Sequence, residues 1–195
     1  FSWHGLDAAG QPLQLAGVAP ALPLPSVACA LQVLAWLDHW DANVFIGLLP
    51  AIRLPGRLQQ LSWREREWIL DVAHNEAGAR FLAGRLQQAA DMPLTAVLSA
   101  MADKDLAGIF AALAPQVRQW VLFPLADNPR AASLAQLHEA ALAAGVAAAN
   151  IIACDALQPA VEAAIATGDR ILVCGSFFTV SAVGALLQAN GCDHG

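Results

Sequence analysis

The sequence predicts an α/β fold from residue 54 onward, and three observations carry that prediction. Short, mostly apolar runs at Leu58–Trp63, Trp68–Ala73, Thr95–Met101, Gln119–Pro124, Asn150–Cys154 and Arg170–Cys174 have the length and composition of buried strands. Stretches with apolar residues at helical spacing alternate with them, at Glu76–Ala90, Lys104–Leu113, Ala132–Ala144, Leu157–Ala166 and Ser176–Ala189, and this alternation implies parallel crossovers. Only Arg64-Glu-Arg-Glu67 separates the first two strands, too little for a crossover, so that pair forms a hairpin. The expected architecture is Rossmann-like: a mostly parallel, mixed six-stranded sheet with helices on both faces.

The elements before residue 54 read differently. Phe1 to Val18 holds two short apolar runs around the turn-like Asp7-Ala-Ala-Gly10, a β-hairpin pattern. Pro20, Pro23 and Pro25 should keep the next stretch extended. Ser26 is placed to cap a helix over Val27–Trp40, where Val27, Ala30, Leu31, Leu34 and Leu37 repeat at helical spacing. A shorter helix near Asn43–Leu49 follows, ended by Pro50 and Pro55-Gly56. The apolar faces of these helices are expected to be exposed for want of a partner. The chain starts at Phe1, with neither an initiator methionine nor a signal peptide, and is expected to be a piece of something longer.

Composition narrows the classes. Hydrophobic residues make up 57% and charged ones 13%, so a well-filled core is expected. No uninterrupted apolar run reaches the roughly 18 residues of a membrane span. The alanine-rich 131–149 stretch is broken by Gln136, His138, Glu139 and Gly145. Cys29, Cys154, Cys174 and Cys192 form no C-x-x-C pair and sit mainly in apolar surroundings, which points to free thiols in a reducing, cytoplasmic compartment. A net charge of −6 without a basic cluster argues against nucleic acid as a partner.

Chemistry is expected where the strands end. Trp68-Ile-Leu-Asp-Val-Ala-His-Asn75 is an apolar strand closing on acid, imidazole and amide just before a helix start, and open α/β sheets bind ligands at that edge. The free N–H groups of the helix start favour an anion. Asp71 could accept from a ribose or position a guanidinium; alternatively Asn75 caps the helix while Asp71 and His74 pair with loop backbone. The same rim should carry Asp103, Lys104, Asp105, Ser176 and Arg130. Asp103-Lys104-Asp105 could hold a loop by ion pairs, or Lys104 could face a nucleotide. His74 has no His or Cys at ligand spacing, so no metal site is assigned to the chain.

Leu54-Pro-Gly-Arg57, Asp71-Val-Ala-His-Asn75 and Cys174-Gly-Ser-Phe-Phe-Thr-Val180, in that order and spacing, resemble the folylpolyglutamate synthase / dihydrofolate synthase family of Mur-ligase-like amide ligases. The resemblance runs from about Leu22 to the end of the chain and includes the loop Ala102-Asp-Lys-Asp-Leu-Ala-Gly108. It implies that residues 1–53 are the tail of an amino-terminal ATPase domain and residues 54–195 a carboxy-terminal glutamate-ligase domain. It also implies ATP and Mg2+ as cofactors, L-glutamate and dihydropteroate or folate as substrates, and a monomer. No G-x-x-x-x-G-K-[ST] pattern occurs, so the metal ligands are expected in the ATPase domain and this piece should be inactive alone. Residue by residue, the resemblance assigns ATP contacts to Arg57 and Asp71, and to Ser26 where the family has asparagine. His74 and Ser176 fall at glutamate-site positions; Ser176 is equally well placed to cap the last helix. Where the family has proline after the H-N pair, this chain has Glu76, which adds negative charge near a glutamate site.

Two rivals remain at this stage. Asp127-Asn-Pro-Arg130 looks like a tetrapeptide with which peptidoglycan Mur ligases bind their amino acid, but Cys174-Gly-Ser-Phe-Phe178 stands where those enzymes have G-K-G-H-E. The other rival is a non-catalytic nucleotide-binding or interaction module that keeps the fold without the reaction.

Overall fold

A computed structural model of the chain describes residues 1–20, 22–89, 93–126 and 128–192. It divides into two compact units, Phe1–Leu54 and Pro55–Gly195.

In the first unit, β1 (Ser2–Leu6) and β2 (Pro12–Ala16) pair antiparallel. Asp7 closes their turn by accepting from the N–H groups of Ala9 (2.9 Å) and Gln11 (2.7 Å). The first helix, α1, spans Leu24–Trp36, starting three residues earlier than Val27 and ending before Trp40. Pro25 is not extended but lies in its first turn, where the N–H it lacks would have had no helical acceptor and its fixed φ already suits a helix. Pro23 takes the cap position, and Ser26 is therefore inside the helix rather than capping it. The helix stops because Asp38 turns left-handed (φ 58°), which lets His39 N–H reach Leu34 O at 2.9 Å. Asp41 caps α2 (Ala42–Leu48) through Asn43 and Val44 N–H. Trp3, Leu15, Val27, Leu31, Ala35, Phe45 and Leu49 form the core of the unit. Val33 and Trp36 on α1, Leu37 at its carboxyl cap, and Val44, Ile46 and Leu48 on α2 stay exposed.

The second unit is one six-stranded sheet: β3 (Gln59–Trp63), β4 (Arg66–Leu70), β5 (Leu94–Leu98), β6 (Val117–Leu122), β7 (Ile151–Ala153) and β8 (Arg170–Cys174). The spatial order is β3-β4-β8-β5-β6-β7, antiparallel only between β3 and β4. Arg64 and Glu65 make the hairpin turn with φ of 49° and 58°, the left-handed geometry that a two-residue hairpin needs. Four helices connect the rest, α3 (Glu76–Ala89), α4 (Leu106–Leu113), α5 (Leu134–Ala143) and α6 (Leu157–Thr167), and α7 (Phe177–Ala189) follows β8. The predicted helix end at Ala90 lies outside the described residues. α5 opens with a reciprocal cap, Ser133 accepting from Gln136 N–H while the Gln136 side chain accepts from Ser133 N–H.

The strand pleat sorts the core into two layers. Ile69, Ala96, Leu98, Trp120, Leu122 and Leu172 face α3, α4 and α5. Trp68, Leu70, Val97, Val121, Ile171 and Val173 face α6 and α7. Central strands are thus apolar on both sides, as a sheet covered by helices on both faces requires. This layering also locates the site. After β4 and β5 the chain leaves toward one face, into α3 and α4; after β8, which lies between them, it leaves toward the other, into α7. Connections diverging from adjacent strands open a crevice at the carboxyl ends of the sheet.

Candidate functional site

The crevice is built from the end of β4. Both carboxylate oxygens of Asp71 are engaged: one accepts from Leu58 N–H and the other from Ala73 N–H, each at 2.9 Å. The residue is 8% exposed. Burial raises its pKa above the ordinary carboxylate value, partly offset by these two N–H donors and by the nearby charge of Arg57. Asp71 therefore fastens the Leu54-Pro-Gly-Arg57 loop to the strand end, as does Val72 N–H donating to Gly56 O at 2.9 Å. Gly56 has φ +67°, and a Cβ there would come within 2.9 Å of Val72 and 3.0 Å of Val180, so the loop can pack this closely only with glycine.

The loop delivers Arg57 to an aromatic ring. Its guanidinium carbon lies 5.5 Å from the centroid of Phe177, within cation–π range. His74 approaches the same ring, centroid to centroid 5.9 Å and tilted 41°. His74 Nδ1 is 3.0 Å from Val72 O. A carbonyl only accepts, so Nδ1 carries a hydrogen, and in the neutral imidazole the lone pair is then on Nε2. Asn75 caps α3, its side-chain oxygen accepting from Gly78 N–H at 2.8 Å. Glu76, the departure from the family proline, is paired with Arg80 (Nε to Oε1 2.9 Å), which offsets the added negative charge at this helix start.

Ser176 is tied into the turn behind. Its Oγ accepts from Thr179 N–H at 2.9 Å. Thr179 Oγ1 donates to Ser99 O at 2.6 Å, so in the 2.7 Å contact between the two hydroxyls Ser176 is the donor. Ser176 is 3% exposed, and its proton is spent inside the protein. Gly175 allows this packing: a Cβ there would be 2.5 Å from Ser99 O.

Farther along the rim, Asp103 accepts from Arg130 (3.1 Å) and pairs with Lys104 (3.2 Å). Hydrogen bonds from Lys104 and then Arg130 hold its carboxyl below the ordinary range. Ala102 N–H donates to Arg130 O at 2.8 Å, and Asp105 caps α4 through Gly108 N–H at 2.9 Å. Ion pairs of Asp103 with Lys104 and Arg130 thus hold this loop. Asp127 of the Asp127-Asn-Pro-Arg130 tetrapeptide lies outside the described residues. Ser26 belongs to the other unit, exposed in the first turn of α1.

The structure thus gathers Arg57, Asp71, His74, Asn75 and Ser176 around the ends of β4 and β8, with Asp103, Lys104, Asp105 and Arg130 on the loops after β5 and before α5. Phe177, the ring against both Arg57 and His74, was missed as a site residue because a phenylalanine at a helix start reads as core. Two consecutive phenylalanines directly after the Gly-Ser cap were the available signal. Among the described residues, no group of three His, Cys, Asp or Glu side chains is placed to hold a metal ion, and no helix is long and apolar enough to cross a membrane. A cavity of about 390 Å³ lies at the opposite edge of the sheet, lined in part by Thr95, Arg118, Gly168 and Arg170. There α6 presents its carboxyl end, whose dipole disfavours anions.

Comparison with known proteins agrees with this geometry. Residues 56–177 match the family model described as Mur ligase, glutamate ligase domain. The dihydrofolate synthase/folylpolyglutamate synthase of Escherichia coli is 36% identical over 179 residues, covering 87% of this chain and 39% of that protein. A solved bifunctional folylpolyglutamate synthase/dihydrofolate synthase from Yersinia pestis, complexed with AMPPNP and Mn ion, aligns with a TM-score of 0.75 at 35% identity, over 90% of this chain and 42% of the other. A further structure of such an enzyme, with Mn, AMPPNP and L-glutamate bound, gives a TM-score of 0.76 at 35% identity, again over 90% of this chain and 42% of its own. The chain spans about two fifths of the length of curated relatives such as the enzymes of Escherichia coli and Buchnera aphidicola. With the six-stranded sheet, its rim of loops and a family match over most of the second unit in agreement, this chain belongs to the Mur ligase glutamate ligase domain family.

Proposed function

We propose that the chain is the carboxy-terminal portion of an ATP-dependent amide ligase that adds L-glutamate to dihydropteroate, to folates, or to both. On this reading residues 1–53 are the tail of an amino-terminal ATPase domain and residues 54–195 the glutamate-ligase domain, in a monomeric cytoplasmic enzyme. The observation that carries the reading is the juxtaposition of Arg57 and His74 at the crevice beside β8, in a chain whose relatives bear this activity in their names.

ATP, with magnesium bound by the ATPase domain, supplies the phosphoryl group that activates the folate carboxylate for attack by the amino group of glutamate. The residues of this chain bind and orient. Arg57 presents a fixed positive fork suited to phosphate oxygens. Asp71 acts through the loop backbone, holding Arg57 in place rather than meeting the nucleotide directly. The start of α3, capped by Asn75, and Nε2 of His74 form a setting for the glutamate substrate, an anion at a helix start beside a hydrogen-bond acceptor. Ser176 positions the β8–α7 turn. Ser26 is assigned a nucleotide contact by the family resemblance alone, with one hydroxyl where the family has an amide. The exposed stripe of Val33, Trp36 and Leu37 suits packing against the ATPase domain.

The test uses the full-length protein with ATP, magnesium, glutamate and either dihydropteroate or tetrahydrofolate, products being followed by mass spectrometry. The expected result is a glutamyl-extended pteridine with one ADP and one phosphate per bond, lost in His74→Ala. Turnover of a UDP-linked muramyl substrate instead would transfer the protein to the peptidoglycan branch. Silence with both would leave a binding module.

A further inference from the structure

We infer that Phe177 is a positioning residue that holds the nucleotide-side Arg57 and the glutamate-side His74 to a common reference, an inference that rests on the function proposed above. The ring is the first residue of α7 and is 57% exposed. Neither core layer of the second unit uses it. Its neighbours come from separate loops, one before β3 and one after β4. Asp71 fixes the backbone beside Arg57, and Val72 O fixes the tautomer of His74, but neither restrains the ligand-facing end of its side chain. The Phe177 ring does so for both. The guanidinium lies 5.5 Å from its centroid and the imidazole 5.9 Å, so the arginine loses rotational freedom before any ligand arrives and the imidazole is aimed from the same side. Phe178 is equally exposed at 57%, yet it makes no ring or cation contact among the described residues. It is the natural control.

The experiment measures KM for ATP and for glutamate in the full-length protein and in Phe177→Leu, Phe177→Tyr and Phe178→Leu, with thermal midpoints alongside. Phe177→Leu is expected to raise both KM values by roughly two- to fivefold each, the scale of an exposed cation–π or ring contact, with kcat within about twofold. Phe177→Tyr should restore both, and Phe178→Leu should match the parent. A Phe177→Leu protein with neither KM changed, or only one, overturns the inference, as does failure of Phe177→Tyr to restore them. If the parent protein shows no glutamate-dependent ATP turnover, it is the underlying functional reading that fails.

Discussion

Asp71 shows how a motif residue can be engaged by the backbone of its own loops. Its two oxygens hold Leu58 and Ala73 N–H groups in a nearly buried setting, and an amide could satisfy one of those donors but not both. D71N should therefore cost about 1–3 kcal/mol of stability and weaken nucleotide binding through Arg57, measurable by urea unfolding and by titration with an ATP analogue. The pH dependence has a definite sign. Burial raises the Asp71 pKa above its unfolded value, so the folded state binds its proton more tightly. Its contribution is fully present below the unfolded pKa and is lost as pH rises through the folded one. In D71N this decline should vanish from an unfolding series run upward in pH from the ordinary carboxylate range. Asp103 acts in the opposite sense: its lowered pKa gives a contribution present above the unfolded value and lost on acidification, kept small by its exposure.

At the scale of elements, the turns rather than the helices set the site. Gly56→Ala would place a Cβ 2.9 Å from the Val72 side chain and 3.0 Å from that of Val180 in a left-handed backbone, a cost of about 1–3 kcal/mol. Gly175→Ala meets the carbonyl of Ser99 at 2.5 Å with φ +106°. Backbone cannot yield as a side chain does, so Gly175→Ala should be the more damaging of the two in thermal unfolding. The strands were legible in the sequence to within about two residues, except that β4 and β5 each end three earlier than read, because central strands buried on both faces leave continuous apolar runs. The start of α1 was not, because Pro23 and Pro25 carry the same local signature in an extended stretch as at a helix start. The positions of Asp71, His74 and Ser176 along the rim were legible too. Their partners were not: an acid bound to the backbone thirteen residues away, or a hydroxyl spent on Thr179, depends on loops that meet only in the folded chain.

For the whole molecule, the first unit poses the question that its own core leaves open. Trp36 is 58% exposed on the same α1 face as Val33 and Leu37. If a preceding domain covers that face, Trp36→Gln should lower the unfolding midpoint of the full-length protein, whereas in the isolated chain it should change stability by no more than about 0.5 kcal/mol. The second unit carries a different consequence, set by the order of its strands. β8 is the last of these six strands to be synthesised, yet it is paired on one side with β4 and on the other with β5. Until Arg170–Cys174 leave the ribosome, the sheet is two fragments separated by an open slot, with the apolar flanks of both exposed. A nascent chain halted before Arg170 should therefore be digested throughout by protease, and protection should appear in one step once α7 has cleared the exit tunnel. The unit is committed to fold after its synthesis is essentially finished, and during that interval it is a natural client for chaperones.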